Sequence, residues 1–173
     1  MQWLFALALL VSLAGPVAAQ PAADIETVPT EELVRTASLA HPITLYMLSA
    51  RLLEEERGLE AAQWLYAGQL RYRFLLAALG EQATDERVLF SALTESVGRP
   101  VNEYIAGDPD EWMAAMQWAL DWDAAHDNLH TSKQDFAADL ARVRAGLDDL
   151  IQHVDQNREQ IRKTRAANGL PNR

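Results

Sequence analysis

The chain has 173 residues, a formal net charge of −10 and no cysteine. This acidic balance argues against nucleic acid or an anionic membrane surface as the main partner, because both require a basic footprint. Without cysteine the chain forms no disulfide and carries no lipid-modified cysteine, so its stability must come from a packed core.

The first 19 residues have the pattern of a secretory signal peptide. They are apolar from Trp3 to Leu13, break at Gly15-Pro16, and end in the small residues VAA that signal peptidase accepts. No Lys or Arg precedes the apolar run, and a membrane anchor is the alternative interpretation. The run is shorter than the roughly 20 residues that span a bilayer. We therefore expect cleavage after Ala19, a periplasmic or secreted protein, and no stable membrane insertion afterwards.

Helical signals follow one another after an acidic, Pro- and Ala-rich leader, predicted to be flexible, at residues 20–29. Thr30 suits the N-cap of a first helix that runs to about residue 40. Pro42 fits the first turn of a second helix, which we expect to end at Gly58. The stretch LEAAQWLYAGQLRYRFLLAAL, residues 59–79, forms a third helix with apolar residues on both flanks, so it should lie at the centre of the fold.

Three further helices are predicted in the second half of the chain. The fourth covers about residues 84–97, and a short turn or helical piece follows at residues 99–105. The fifth begins with Asp108-Pro109-Asp110-Glu111, which combines an N-cap Asp, Pro at the first helical position and Glu three residues after the cap. The sixth is predicted over residues 132–165, and residues 166–173 are expected to form a disordered tail.

The sixth helix carries a heptad-like seam. Its members are Phe136, Leu140, Val143, Leu147, Leu150, Val154, Asn157 and Ile161. A polar Asn within such a seam is typical of coiled coils, where it sets register and oligomeric state. One interpretation is therefore a homodimer through this helix. The interpretation that we favour is that residues 136–154 pack across the chain's own bundle. Because no segment alternates with period two, the predicted fold class is all-α, a single helical domain over residues 30–165.

The segment LSARLLEEERGLEAAQWLYAGQL, Leu48 to Leu70, resembles one unit of a tetratricopeptide or Sel1-like repeat. A helix ends at Gly58, and the next carries Ala61, Trp64 and Gly68 at the positions of small and aromatic residues in those families. No second copy occurs at a period of 34–40 residues, and a repeat array needs about three copies. The resemblance implies a helical hairpin and a protein-binding role. The stretch WLYAGQLRYR is also similar to segments of exported bacterial proteins.

Arginines and aromatic residues form the main candidate binding site. Arg71 and Arg73 lie about 200° apart on a helix, so at least one must be partly buried and must have a carboxylate partner. Glu103, beside Arg99, is the predicted partner. The alternative to a structural ion pair is an arginine-lined cleft for an anionic ligand. The candidate residues are Tyr66, Arg71, Arg73, Arg99, Asn102, Glu103 and Tyr104. The Trp and Tyr residues in general are interpreted as core.

Metal binding and catalysis have weaker support in the sequence. His126 and His130 would share a face of a continuous helix and could bind zinc, but Asp127-Asn128 is typical of a helix end. No Gly-x-Ser-x-Gly motif or phosphate-binding glycine loop is present. We expect no cofactor and favour a binding protein over an enzyme. The predicted function is binding of a protein partner in the cell envelope, and the alternative is a ligand-binding protein or enzyme with an arginine and aromatic cleft.

Overall fold

The computed structural model describes residue 25 and residues 27–173, so the predicted signal peptide lies outside the described residues. The described part of the chain is helical and contains no strand, which confirms the all-α prediction. The helices are α1 (Thr30–Thr36), α2 (Pro42–Glu54), α3 (Gly58–Leu79), α4 (Thr84–Leu93), α5 (Arg99–Ile105), α6 (Pro109–Ala125), α7 (Ala137–Gln156) and α8 (Arg158–Ala167). None of these helices is both long and apolar enough to cross a bilayer.

The central helix is α3, which packs against α2, α5, α6 and α7. Its buried side chains lie on all sides of the helix, as the absence of a polar face in the sequence predicted. Gly68 allows the closest approach to α2, since a Cβ there would lie 3.2 Å from Leu45 and 3.1 Å from Tyr46. The pair α2–α3 forms the predicted helical hairpin.

The turn between α2 and α3 differs from the prediction. The second helix was expected to end at Gly58, but α2 ends at Glu54 and Gly58 is the first residue of α3. The left-handed conformation of this turn belongs to Glu56, with φ of 61°. Gly58 is required for a different reason, because a Cβ at this position would lie 2.1 Å from the ring of Tyr104.

The predicted helix over residues 132–165 is wrong, because the chain forms two helices that meet at Asn157. Asn157 leaves the helical conformation (φ −115°, ψ 14°), and its Nδ2 donates to the carbonyl of His153 at 2.7 Å. Asn side chains compete in this way for backbone groups and end helices. The apolar seam residues Leu147, Leu150, Val154 and Ile161 pack against the chain's own core, and the homodimer remains a prediction.

The C-terminal tail, predicted to be disordered, folds back onto the segment between α5 and α6. The backbone N–H of Arg173 donates to the carbonyl of Gly107 at 2.8 Å. The Arg173 guanidinium lies 4.0 Å from the ring centroid of Tyr104 and pairs with Glu111 at 2.7 Å. These partners are distant from the tail in sequence. The helix-ending signal Gly-Leu-Pro, on which the prediction of a disordered tail was based, gives no information about such contacts.

Two glycines provide a matched test of this packing. Gly58→Ala should lower the free energy of unfolding by about 1–3 kcal/mol, because the new methyl group must displace the Tyr104 ring. Gly146→Ala, in α7, should raise it by roughly 0.5–1 kcal/mol, because nothing lies within 4 Å of its Cβ and Ala is the better helix former. Urea unfolding of both variants measures the effect, and a Gly58→Ala variant as stable as wild type would contradict the close contact.

Candidate functional site

Among the described residues, Arg71 is the largest side chain that is fully buried. Arg71 lies on α3 with 0% of its surface exposed, and Asp123 on α6 is 1% exposed. Arg71 Nε donates to Asp123 Oδ1 at 3.2 Å. Burial lowers the pKa of Arg71, and Asp123 opposes this effect. An arginine nevertheless stays charged in proteins. The prediction that one of the two arginines is buried beside a carboxylate is therefore confirmed.

The other bonds of Arg71 join two loops. Nη1 donates to the carbonyl of Ser38 at 2.9 Å, and Nη2 donates to that of Asp127 at 2.8 Å. The guanidinium also lies 4.3 Å from the ring centroid of Trp122. Residues 37–41 and residues 126–131 therefore lie side by side at one end of the bundle. We call these two segments the loop junction.

The Asp123 carboxylate forms ion pairs with two further cations. Arg144 Nη1 lies 3.2 Å and Lys133 Nζ 3.4 Å from Asp123 Oδ2. Lys133 also donates to the carbonyl of His126 at 2.8 Å, which attaches the segment before α7 to the end of α6. One buried carboxylate thus holds α3, α6, α7 and the loop junction together.

The predicted partner of the buried arginine, Glu103, is wrong. Glu103 lies on the surface, 3.9 Å from Arg99, which also pairs with Glu95 at 2.7 Å. Arg71 instead faces α6, 52 positions later in the chain. Local sequence proximity to another arginine favoured Glu103, but the packing of α3 on α6 determines which carboxylate reaches Arg71.

The remaining predicted site residues do not form one cleft with Arg71. The Tyr66 hydroxyl donates to Asn102 Oδ1 at 2.7 Å, and Tyr104 stacks under Arg173 at the surface. Arg73 is exposed, with its guanidinium 5.8 Å from the ring centroid of Phe90. Arg73 and Tyr66 do line a cleft between α3 and α7, but its volume of about 50 Å³ suits water rather than an organic ligand.

Two histidines contact each other at the loop junction. The sequence did not indicate this contact. The ring centroids of His41 and His130 lie 5.1 Å apart, and that of Tyr72 lies 5.8 Å from His41. Tyr72 in turn donates its hydroxyl to Glu86 at 2.5 Å. His41 caps α2 by accepting the N–H of Ile43 on Nδ1 at 3.3 Å. Burial and the nearby His130 lower the pKa of His41, and Glu86 acts in the opposite direction.

The candidate zinc pair does not share a helical face, because α6 ends at Ala125. The ring of His126 stacks on Trp122 with centroids 5.0 Å apart, while His130 faces His41. Within the described part of the chain, no three His, Cys, Asp or Glu side chains come together as a metal site would require.

The surface of the loop junction carries two exposed leucines. Leu39 is 57% exposed and Leu129 is 67% exposed. Leu39 lies between Ser38, which is bonded to Arg71, and His41, while Leu129 lies between Asp127, also bonded to Arg71, and His130. Both leucines are therefore presented by backbone that a buried arginine holds in place.

Comparisons with known proteins yield no relative: no family model matches the chain, and neither a curated protein nor a solved structure is significantly similar to it. The tetratricopeptide-like hairpin therefore remains a resemblance over Leu48 to Leu70. Inferences about function depend on the side chains described above.

Asp123→Asn should destabilise the protein by about 3–5 kcal/mol, because it leaves Arg71 buried without its charged partner. Asp121→Asn is the matched control two residues away. Asp121 is exposed, and among the described residues its side chain accepts from Gln117 alone, so its substitution should change the free energy of unfolding by less than about 0.5 kcal/mol. Denaturant unfolding compares the two, and equal effects would contradict the central role of Asp123.

The stability of the protein should fall as the pH drops through the range in which histidine titrates. An unfolded His binds a proton near pH 6.5, whereas His41 in the folded protein does so only at lower pH. The unfolded state therefore gains a proton that the folded state lacks, and the free energy of unfolding decreases. His41→Asn retains a good N-cap residue and should flatten this dependence between pH 7.5 and 5.5. An unchanged slope in urea unfolding would contradict the prediction.

Proposed function

We propose that this chain is an exported protein that acts by binding another protein, without catalysis of its own, and that the loop junction is its contact surface. The observation that carries the proposal is the pair Leu39 and Leu129, which expose 57% and 67% of their surface on adjacent loops. Full burial of a leucine side chain contributes roughly 1.5–3 kcal/mol, so two leucines can act as anchors for a partner.

The buried ion pair supports this role because it orders the loops before a partner arrives. Arg71 bonds to carbonyls in both segments of the junction, and Lys133 bonds to the carbonyl of His126. A surface that is already ordered loses less conformational entropy on binding than a mobile loop does. The leucines are thus held in a fixed position without being used in the chain's own core.

The charge around the leucines favours a partner with an apolar groove bordered by Lys or Arg. Asp127 is exposed within the junction, and Asp121 and Asp135 are exposed a few residues before and after it in the chain, whereas Lys133 directs its charge inward to Asp123. The chain as a whole carries a formal charge of −10. Complementary charge at the rim of an interface accelerates association and selects the partner.

The alternative function, a ligand cleft formed by arginines and aromatic residues, depends on Arg71, which is not accessible to a ligand. Arg71 has no exposed surface, and its bonds to Asp123, Ser38 and Asp127 occupy the guanidinium. Arg73 is exposed, but the cleft beside it is only about 50 Å³ in volume. The predicted site residues therefore give more support to a structural role than to a ligand cleft.

Photocrosslinking followed by affinity measurement tests the proposal. A photoreactive amino acid at position 129 should give a defined adduct with one envelope protein, and the same group at position 88 should not. Val88 is the control of equal exposure, because it is 68% exposed on α4 and lies outside the two junction segments. The crosslinked protein is then purified, and its dissociation constant for the wild-type chain is measured.

The double variant Leu39→Ser, Leu129→Ser should weaken binding to that partner at least tenfold, or about 1.4 kcal/mol, because both apolar anchors are lost. Val88→Ser should leave the dissociation constant unchanged. Identical adducts from positions 129 and 88, or unchanged affinity of the double variant, would rule out the loop junction as the contact surface.

A further inference from the structure

A second buried arginine, Arg165, has no carboxylate partner. It lies in the last turn of α8 and is 8% exposed. Its Nη2 donates to the carbonyl of Pro171 at 2.8 Å, while Nε is enclosed and makes no hydrogen bond. Among the described residues no carboxylate lies within 4.0 Å of its guanidinium nitrogens. The carbonyls at a helix C-terminus offer only a partial negative charge.

Two other arginines in this region, Arg158 and Arg173, have acidic partners. Arg173 pairs with Glu111 at 2.7 Å, and Arg158 pairs with Asp155 at 2.9 Å and also with Asp110. Arg71, which is even more buried than Arg165, has Asp123. A buried guanidinium without a counter-charge is costly. Of the two arginines that are buried in the described residues, Arg71 has a carboxylate partner and Arg165 has none.

Arg165 lines an open groove of about 400 Å³ at the junction of α6, α7 and α8. This volume lies within the range of small-molecule sites. The groove combines apolar surface from Trp112 and Ile161 with the polar residues His153, Asn157 and Gln160. No lining residue is Asp or Glu, although the chain contains 25 of them. The groove is therefore the place where an external anion can approach a buried cation without repulsion from its walls.

The apolar wall of the groove is held in place from behind. Trp112 donates its indole N–H to the hydroxyl of Tyr66, and that hydroxyl donates to Asn102 Oδ1 at 2.7 Å. The only polar group of the Trp112 side chain is thus satisfied inside the protein. Two of the residues predicted from the sequence as ligand contacts, Tyr66 and Asn102, support this wall.

We propose that the groove binds a small organic monocarboxylate, whose carboxylate pairs with Arg165 and whose apolar body packs on Trp112 and Ile161. A guanidinium suits a carboxylate by its planar, multidentate geometry. A single unpaired arginine matches one negative charge, whereas a phosphate monoester carries about −1.5 to −2 at neutral pH. The chemistry of the site therefore favours a carboxylate over a phosphate.

This groove is separate from the loop junction. Trp112 lies near the start of α6 and His126 directly follows its end, and 14 residues of helix span about 21 Å. Loss of one site should leave the other intact.

Isothermal titration with sodium octanoate and with 1-octanol as probes tests the proposal. Octanoate should bind at least tenfold more tightly than octanol, because only the carboxylate pairs with Arg165. Arg165→Gln should weaken octanoate binding at least tenfold and leave octanol binding unchanged. Arg162→Gln is the matched control, since Arg162 is exposed on the same helix and does not line the groove.

A second variant keeps the test decisive if Arg165→Gln fails to fold. Gln160→Glu places a carboxylate on the groove wall, where its negative charge should repel octanoate and weaken its binding at least tenfold. The proposal is overturned if octanoate binds no better than octanol, or if neither Arg165→Gln nor Gln160→Glu weakens octanoate binding more than Arg162→Gln does.

Discussion

The Arg71–Asp123 pair is the interaction on which the rest of the structure depends. Both side chains are enclosed, so neither charge can be solvated by water, and each must be satisfied by the protein. Arg71 meets this requirement with Asp123 and with carbonyls from two separate loops. Those loops must approach α3 closely for the bonds to form. The desolvation of one charge thus determines the path of the backbone at one end of the bundle.

Aromatic packing extends this constraint into the core between α3 and α6. The Trp64 ring lies 5.0 Å from that of Trp118 and 5.1 Å from that of Trp122, in edge-to-face geometry. Trp122 also lies under Arg71, and the ring of His126, directly after the end of α6, stacks on Trp122. Edge-to-face pairs contribute roughly 0.5–1.5 kcal/mol beyond area burial. The aromatic residues of α6 therefore fix its rotation against α3, which in turn points Asp123 at Arg71.

The sequence predicted the features that depend on local pattern. The all-α class, the central position of α3 and the burial of one arginine follow from hydrophobic periodicity and the angular spacing of Arg71 and Arg73. The Asp108 cap is also as predicted, with its side chain accepting from the N–H groups of Asp110 and Glu111. Each of these depends on residues a few positions apart, for which helical geometry gives the spatial relation directly.

The features that the sequence did not predict depend on contacts between distant segments. Asp123 is 52 positions from Arg71, and within its own stretch it cannot be distinguished from the exposed Asp121. Asn157 fits equally a coiled-coil seam and a helix break, and only the packing of α8 decides between them. The contact between His41 and His130 likewise forms only because residues 37–41 and residues 126–131 pack side by side.

Comparison of the two buried arginines shows why a functional site is harder to recognise than a structural one. Both Arg71 and Arg165 are buried, with 0% and 8% of their surface exposed, and both lie on helices. Arg71 has its charge neutralised within the chain, so its position is explained by the fold. Arg165 has one carbonyl partner and a groove wall without acidic residues, so folding alone gives no reason to retain its charge at that position. The difference between the structural and the functional arginine is whether a carboxylate partner is present. That difference can be recognised only when every neighbour of the guanidinium is known.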